Sequence, residues 1–160
     1  MNTKRAVITA AGKRQRNLPL QTLVDSDGIE KSVLEIIIEQ TLAAGIEEIG
    51  LVINPEDKDK YKEVAKDYSS RINFIHQSEP HGYGHAIYCA KDFSEKSSLL
   101  HLVGDHLNVS SHPEGCSEKL VKIAEMEACS VSAVQSTSET QLPFYGTVGG
   151  KRVPGKKDLY

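Results

Sequence analysis

Ala6-Val7-Ile8-Thr9-Ala10-Ala11-Gly12 is the stretch that decides the fold. Residues 6–10 are nearly all apolar and partly β-branched. They lack the polar alternation of a half-exposed strand, so they read as a strand buried on both faces. Gly12 ends the run, and a polar loop follows through Lys13, Arg14, Gln15, Arg16 and Asn17.

Working outward, residues 32–44 carry a helical pattern. Val33, Ile36, Ile37, Gln40 and Ala44 fall at helical spacing, Leu34, Ile38, Thr41 and Leu42 widen the face, and Gly45 is a natural stop. Ile49-Gly50-Leu51-Val52-Ile53 reads as a second buried strand. Asn54-Pro55-Glu56-Asp57 then reads as a helix start, with a capping Asn, a Pro where no N–H is needed, and acids at the positive helix end. That helix is expected to reach about Tyr68. Further expectations are a strand at 72–75, a helix opening at Gly82 and Gly84, a strand at 99–103, a helix over 114–127 and a strand at 130–135. The sum is βαβαβαβαβ, which predicts an α/β fold, Rossmann-like, with a mainly parallel sheet covered by helices on both faces. Residues 142–148 read as extended and 149–152 as a turn. The chain then stops as a new hairpin begins, which reads as C-terminal truncation, with residues 1–160 as one nucleotide-binding part of a larger domain.

Composition excludes several classes. The chain has 160 residues, 39% of them hydrophobic and 26% charged, with a formal net charge of −3. A disordered tail or a disulfide scaffold does not look like this. The mild negative charge argues against broad binding to nucleic acid or anionic membrane. Cys89, Cys116 and Cys129 form no CxxC and read as thiols of a reducing compartment. With neither a signal peptide nor an apolar run long enough to span a bilayer, a cytoplasmic location is expected.

Ligands in such folds gather at the carboxyl ends of the strands. That rule selects three segments. In Ala10-Ala11-Gly12-Lys13, small residues let backbone approach a phosphate, and Lys13, Arg14 and Arg16 could neutralise a triphosphate; a solvated basic turn is the alternative. Neither GxGxxG nor the Walker pattern is present. In His76-Gln77-Ser78-Glu79-Pro80-His81-Gly82-Tyr83-Gly84-His85-Ala86, Gln77 offers a donor and an acceptor to a base edge, or is an ordinary loop residue. The three histidines lack a zinc pattern. In Val103-Gly104-Asp105-His106, Asp105 is a candidate Mg²⁺ ligand or a cap of the next turn.

In their order along the chain, Ala10-Ala11-Gly12, Arg16, Pro19, Val24-Asp25, Lys31, residues 43–49 (AAGIEEI), Gln77, Gly82, Gly84, Ala86 and Gly104-Asp105 resemble the sugar-phosphate nucleotidyltransferase family. The run His81-Gly82-Tyr83-Gly84-His85-Ala86-Ile87 is most similar to its UTP–glucose-1-phosphate uridylyltransferase branch. The resemblance implies that Ala11, Gly12 and Lys13 wrap the triphosphate and that Arg16 helps catalysis. It further implies that Gln77 and Gly82 bind the base, that Asp105 holds a catalytic Mg²⁺, and that Tyr145 and Gly146 lie near the sugar. The implied partners are a nucleoside triphosphate, UTP favoured, and a sugar 1-phosphate; a homo-oligomer stays open. Two departures stand out. Arg14 and Gln15 occupy places where the family has a glycine and a threonine, and the segment Asn17-Leu18-Pro19-Leu20-Gln21 lacks the family's early lysine. They leave room for a second reading, a homologue or an incomplete fragment that binds nucleotide without catalysis, and for another nucleotide such as CTP.

Overall fold

The computed structural model describes residues 2–13, 16–25, 27–95, 97–156 and 159–160. Arg14 and Gln15, the departures in the first loop, lie outside them. Four parallel strands form the main sheet: β1 (Arg5–Thr9), β4 (Glu48–Ile53), β5 (Ile72–His76) and β6 (Leu99–Val103), in the spatial order β5-β4-β1-β6. The helices are α1 (Val33–Ala43), α2 (Lys58–Val64), α3 (Tyr83–Cys89), the short α4 (Lys91–Ser94) and α5 (Cys116–Glu127).

The near-continuous apolar strands are explained by two cores, one on each face of the sheet. Ala6, Ile8, Ile49, Leu51 and Ile53 pack with Leu34, Ile37 and Ile38 of α1 and Val121 of α5. On the opposite face Val7 and Val52 pack with Ala86 and Ala90 around α3, joined by Ile75 and Phe93. Successive side chains of one strand point to opposite faces, so both faces of β1 and β4 must be apolar.

α1 begins as its sequence dictates. The Ser32 hydroxyl accepts from the Glu35 N–H (3.1 Å), and the Glu35 carboxylate accepts from the Ser32 N–H (2.7 Å). This reciprocal box satisfies two orphan donors of the helix start. At the other end Gly45 takes φ +82°, the left-handed conformation that closes a helix.

Four expectations need correction. The helix after Asn54 stops at Val64, and a 3-10 segment (Lys66–Arg71) takes its place, where Asp67, Ser69 and Ser70 are weak helix formers. Residues 130–135 form no strand. Only Val131 is even partly covered and the segment pairs with no neighbour, so too little burial offsets the cost of ordering it. It runs beside the free edge of β6 instead, across a groove of about 650 Å³ lined by Leu99, His101 and Val103 on one side and Cys129, Ser130 and Val131 on the other. Further on, residues 142–148 start inside a 3-10 turn (Glu139–Phe144), and 149–152 make no turn.

Besides the short α4 and a 3-10 turn at Leu18–Leu20, a hairpin is absent from the sequence reading. The antiparallel hairpin β2 (Thr22–Val24) and β3 (Glu30–Ser32) leads into α1. Lys31 fastens it, with its ammonium against Asp25 (3.2 Å), Asp27 (2.6 Å) and Glu39 (2.9 Å). Among the described residues no helix is long and apolar enough to cross a membrane.

Candidate functional site

The chain runs from β1 to β4 to β5 on one side, then returns to place β6 on the other side of β1. The strand order therefore reverses between β1 and β6, and a crevice opens beyond their carboxyl ends. Three backbone hydrogen bonds carry the ladders past the strand ends: Ala10 N–H to Val52 O (2.8 Å), Gln77 N–H to Ile53 O (2.9 Å) and Gly104 N–H to Thr9 O (2.9 Å). They set the starts of all three selected segments side by side.

A cleft of about 320 Å³ lies there, lined by Ala11, Gly12 and Lys13 from the first segment, Gln77, Gly82 and Tyr83 from the second, and Asp105 from the third. Of the residues singled out from sequence, six meet here: Ala11, Gly12, Lys13, Gln77, Gly82 and Asp105. Three do not. Arg16 turns its guanidinium away onto Asp57 and Glu56, both at 3.3 Å. Tyr145 and Gly146 are exposed and line no part of the cleft.

Each cleft residue has a local cause for its place. Gln77 is 4% exposed, and its amide nitrogen donates to the Gly82 carbonyl (3.2 Å) and to His85 Nδ1 (3.0 Å). With Nδ1 accepting, the His85 proton sits on Nε2, which faces Cys89 Sγ at 3.8 Å. The side-chain amide thus has a fixed orientation, which a base-reading group requires. Gly82 adopts φ +96° with ψ −177°, a conformation essentially restricted to glycine, and it opens α3. Gly104 is fixed by contact: a Cβ there would stand 3.0 Å from Ala10 Cβ and 3.3 Å from Pro19 Cγ. A side chain at 104 would have to push the first loop back by a few tenths of an ångström, so glycine suits the close approach of β6 to that loop just before Asp105. One Asp105 oxygen, Oδ1, contacts His106 Nδ1 at 2.8 Å. Asp105 is the single carboxylate, and Lys13 the single cation, among the described residues lining the cleft.

Sequence reasoning passed over Tyr83 and His101. The Tyr83 hydroxyl lies 3.0 Å from His101 Nδ1, and His101 Nε2 lies 3.5 Å from Thr9 Oγ1. Because both partners are hydroxyls, either neutral tautomer satisfies both contacts. Burial pushes the His101 imidazole below its ordinary value of 6.5. The sign follows directly. Below pH 6.5 the unfolded chain takes up a proton that the folded protein resists, so stability falls as pH drops through 6.5 and levels off below the folded value. The expected result is a lower urea midpoint at pH 5 than at pH 7, with a smaller difference in His101→Gln. An equal difference in both proteins would remove His101 as its source.

Fold and cleft together define an α/β protein with a parallel sheet and a cleft at the reversal of strand order. The nucleotidyl transferase family profile matches residues 5–149, and the chain belongs to that family. It is 28% identical to UTP–glucose-1-phosphate uridylyltransferase 2 of Staphylococcus saprophyticus, covering 96% of this chain and 62% of that protein. It is likewise 28% identical to the UTP–glucose-1-phosphate uridylyltransferase of Bacillus subtilis, covering 96% of this chain and 61% of that one. Among solved structures, apo UDP-glucose pyrophosphorylase superposes with a TM-score of 0.79 at 15% identity, over 95% of this chain and 65% of that one. This likeness concerns the fold. The chain thus spans somewhat under two thirds of the length of these relatives.

Proposed function

We propose that this chain is the nucleotide-binding part of a nucleotidyl transferase that moves a uridylyl group from UTP to a sugar 1-phosphate. In that reaction a phosphate oxygen of the sugar 1-phosphate attacks the α-phosphorus. The bond from that phosphorus to the bridging oxygen breaks, and pyrophosphate leaves. One observation carries the reading: Gly12 and Lys13, Gln77 and Gly82, and Asp105 converge on a single cleft at the strand-order reversal. The names of the matching relatives support it.

The roles follow from the chemistry of each group. Backbone at Ala11 and Gly12 and the ammonium of Lys13 face the phosphates, because small residues allow close approach and a cation balances charge. The oriented Gln77 amide reads the base edge, with Gly82 leaving room beside it. Asp105 fits a Mg²⁺ held jointly with phosphate oxygens, since Mg²⁺ takes one or two carboxylates and completes its shell from substrate and water. Bound there, Mg²⁺ would supply charge neutralisation on the phosphates. The protein's own share is positioning.

Calorimetric titration with UTP and Mg²⁺ tests the reading. Saturable binding is expected, weakened about tenfold in Gln77→Ala by the loss of a buried, oriented hydrogen-bonding group. Absence of saturable heat in the unmodified protein would sink the proposal.

A further inference from the structure

Tyr61 is fully buried, and its hydroxyl reaches across the base of the first loop. It donates to the carbonyl of Arg16 at 2.7 Å and lies 3.2 Å from the carbonyl of Ala10, so one side chain of α2 touches both ends of the loop. The loop also closes on itself, through Arg16 N–H to Gly12 O (2.9 Å). One turn before Tyr61, on the same side of the helical segment, stands Asp57.

Asp57 is only 3% exposed, and its Oδ2 lies 3.3 Å from Arg16 Nε, yet no aligned hydrogen bond falls on that oxygen. Its other oxygen is 3.8 Å from Lys60 Nζ. A buried carboxylate without a counter-charge is costly, so Asp57 holds the Arg16 guanidinium by charge where direction contributes little. This accounts for the absence of Arg16 from the cleft wall: its side chain fastens the loop to α2 from below.

We infer that Tyr61 and Asp57 are positioning residues of the candidate site, fixing the first loop at Ala10 and Arg16 and thereby the backbone of Gly12 and Lys13 that faces the phosphates. The inference rests on the nucleotide-binding reading above. Its consequence is selective. The base is read at Gln77 and Gly82, which hang from β5 and α3, so loosening the loop weakens the grip on phosphates and leaves the grip on the nucleoside.

Tyr61→Phe deletes one oxygen and keeps the ring in the core, and Asp57→Asn removes the charge with little change of shape. Two measurements are made on each full chain. The first is the rate of tryptic cleavage after Lys13 and after Arg16 without ligand. The second is the affinity for UTP and for uridine by competition. In Tyr61→Phe cleavage is expected to quicken about fivefold and UTP affinity to fall about tenfold, as loss of a buried hydrogen bond implies, with uridine affinity changed less than about twofold. Asp57→Asn is expected to move both in the same direction. A generally softened fold would lower uridine and UTP affinity together. Unchanged cleavage with an unchanged UTP-to-uridine ratio overturns the inference. Failure of the unmodified protein to bind UTP defeats the nucleotide reading alone, and the cleavage rates, which need no nucleotide, then decide whether the anchor exists.

Discussion

Asp105→Asn is expected to weaken Mg²⁺-dependent UTP binding by about 100-fold, the upper range for perturbing a metal site, with little change in the urea midpoint. The substitution keeps the shape of the side chain and an oxygen that can accept from His106, so the local contact at 2.8 Å survives. Only the negative charge goes. Mg²⁺ binds hard anionic oxygen and loses most when a neutral amide replaces it. No other carboxylate among the described residues lining the cleft can substitute. The same titration without Mg²⁺ separates this cause from a damaged pocket. There, Asp105→Asn should bind UTP as well as the unmodified protein or better, because a carboxylate beside phosphates repels them. Equal Mg²⁺-dependent binding by both proteins would remove Asp105 from any metal role. Weaker binding by the variant even without Mg²⁺ would assign Asp105 to shaping the cleft.

The parts of the molecule that could be read from sequence are those set by local pattern. β1 and β4 announce themselves because strands buried on both faces must be continuously apolar, and Val7 and Ile8 do face opposite cores. The three loops with unusual residues were legible as a group, since strand ends converge in a parallel sheet. The strand order was not, because nothing local says that β6 crosses to the far side of β1. Tyr61 illustrates a second limit. Among the charged residues of Lys58–Val64 it reads as an apolar helix position, while its hydroxyl partners lie 51 and 45 residues away. The hairpin at Thr22–Val24 escaped because its strands are short and β2 is exposed, leaving no buried face to register as a pattern. Residues 130–135 fail in the opposite sense: β-branched residues favour a strand, but propensity forms none without a partner ladder.

The largest stability loss is expected at the strand that carries the most of this architecture. Leu51 is fully buried at the centre of β4, opposite Ile8 of β1 and Phe74 of β5. It belongs to the core shared with α1 and α5. Leu51→Ala removes three carbons from between two rigid strands that cannot collapse inward, so the cost should lie at about 3–4 kcal/mol, within the range for buried leucine. That is a large share of the roughly 5–15 kcal/mol that holds a domain of ordinary stability. Urea denaturation gives the value directly, and Leu142→Ala, on an exposed 3-10 turn, serves as the comparison at about 0.5 kcal/mol or less. A Leu51→Ala loss below about 1 kcal/mol would mean that the two strands do not enclose it as described. The same strand supplies Val52 O to Ala10 N–H and Ile53 O to Gln77 N–H, the bonds that set two of the three cleft segments. Stability and site are therefore linked through β4. Ligand that binds only the folded chain restores about 2.7 kcal/mol at one hundred times its dissociation constant, so saturating UTP with Mg²⁺ should recover most of the midpoint lost in Leu51→Ala. Recovery in Leu51→Ala but not in Leu51→Ala with Asp105→Asn would place the stabilising ligand in this cleft, by an observable that needs no turnover.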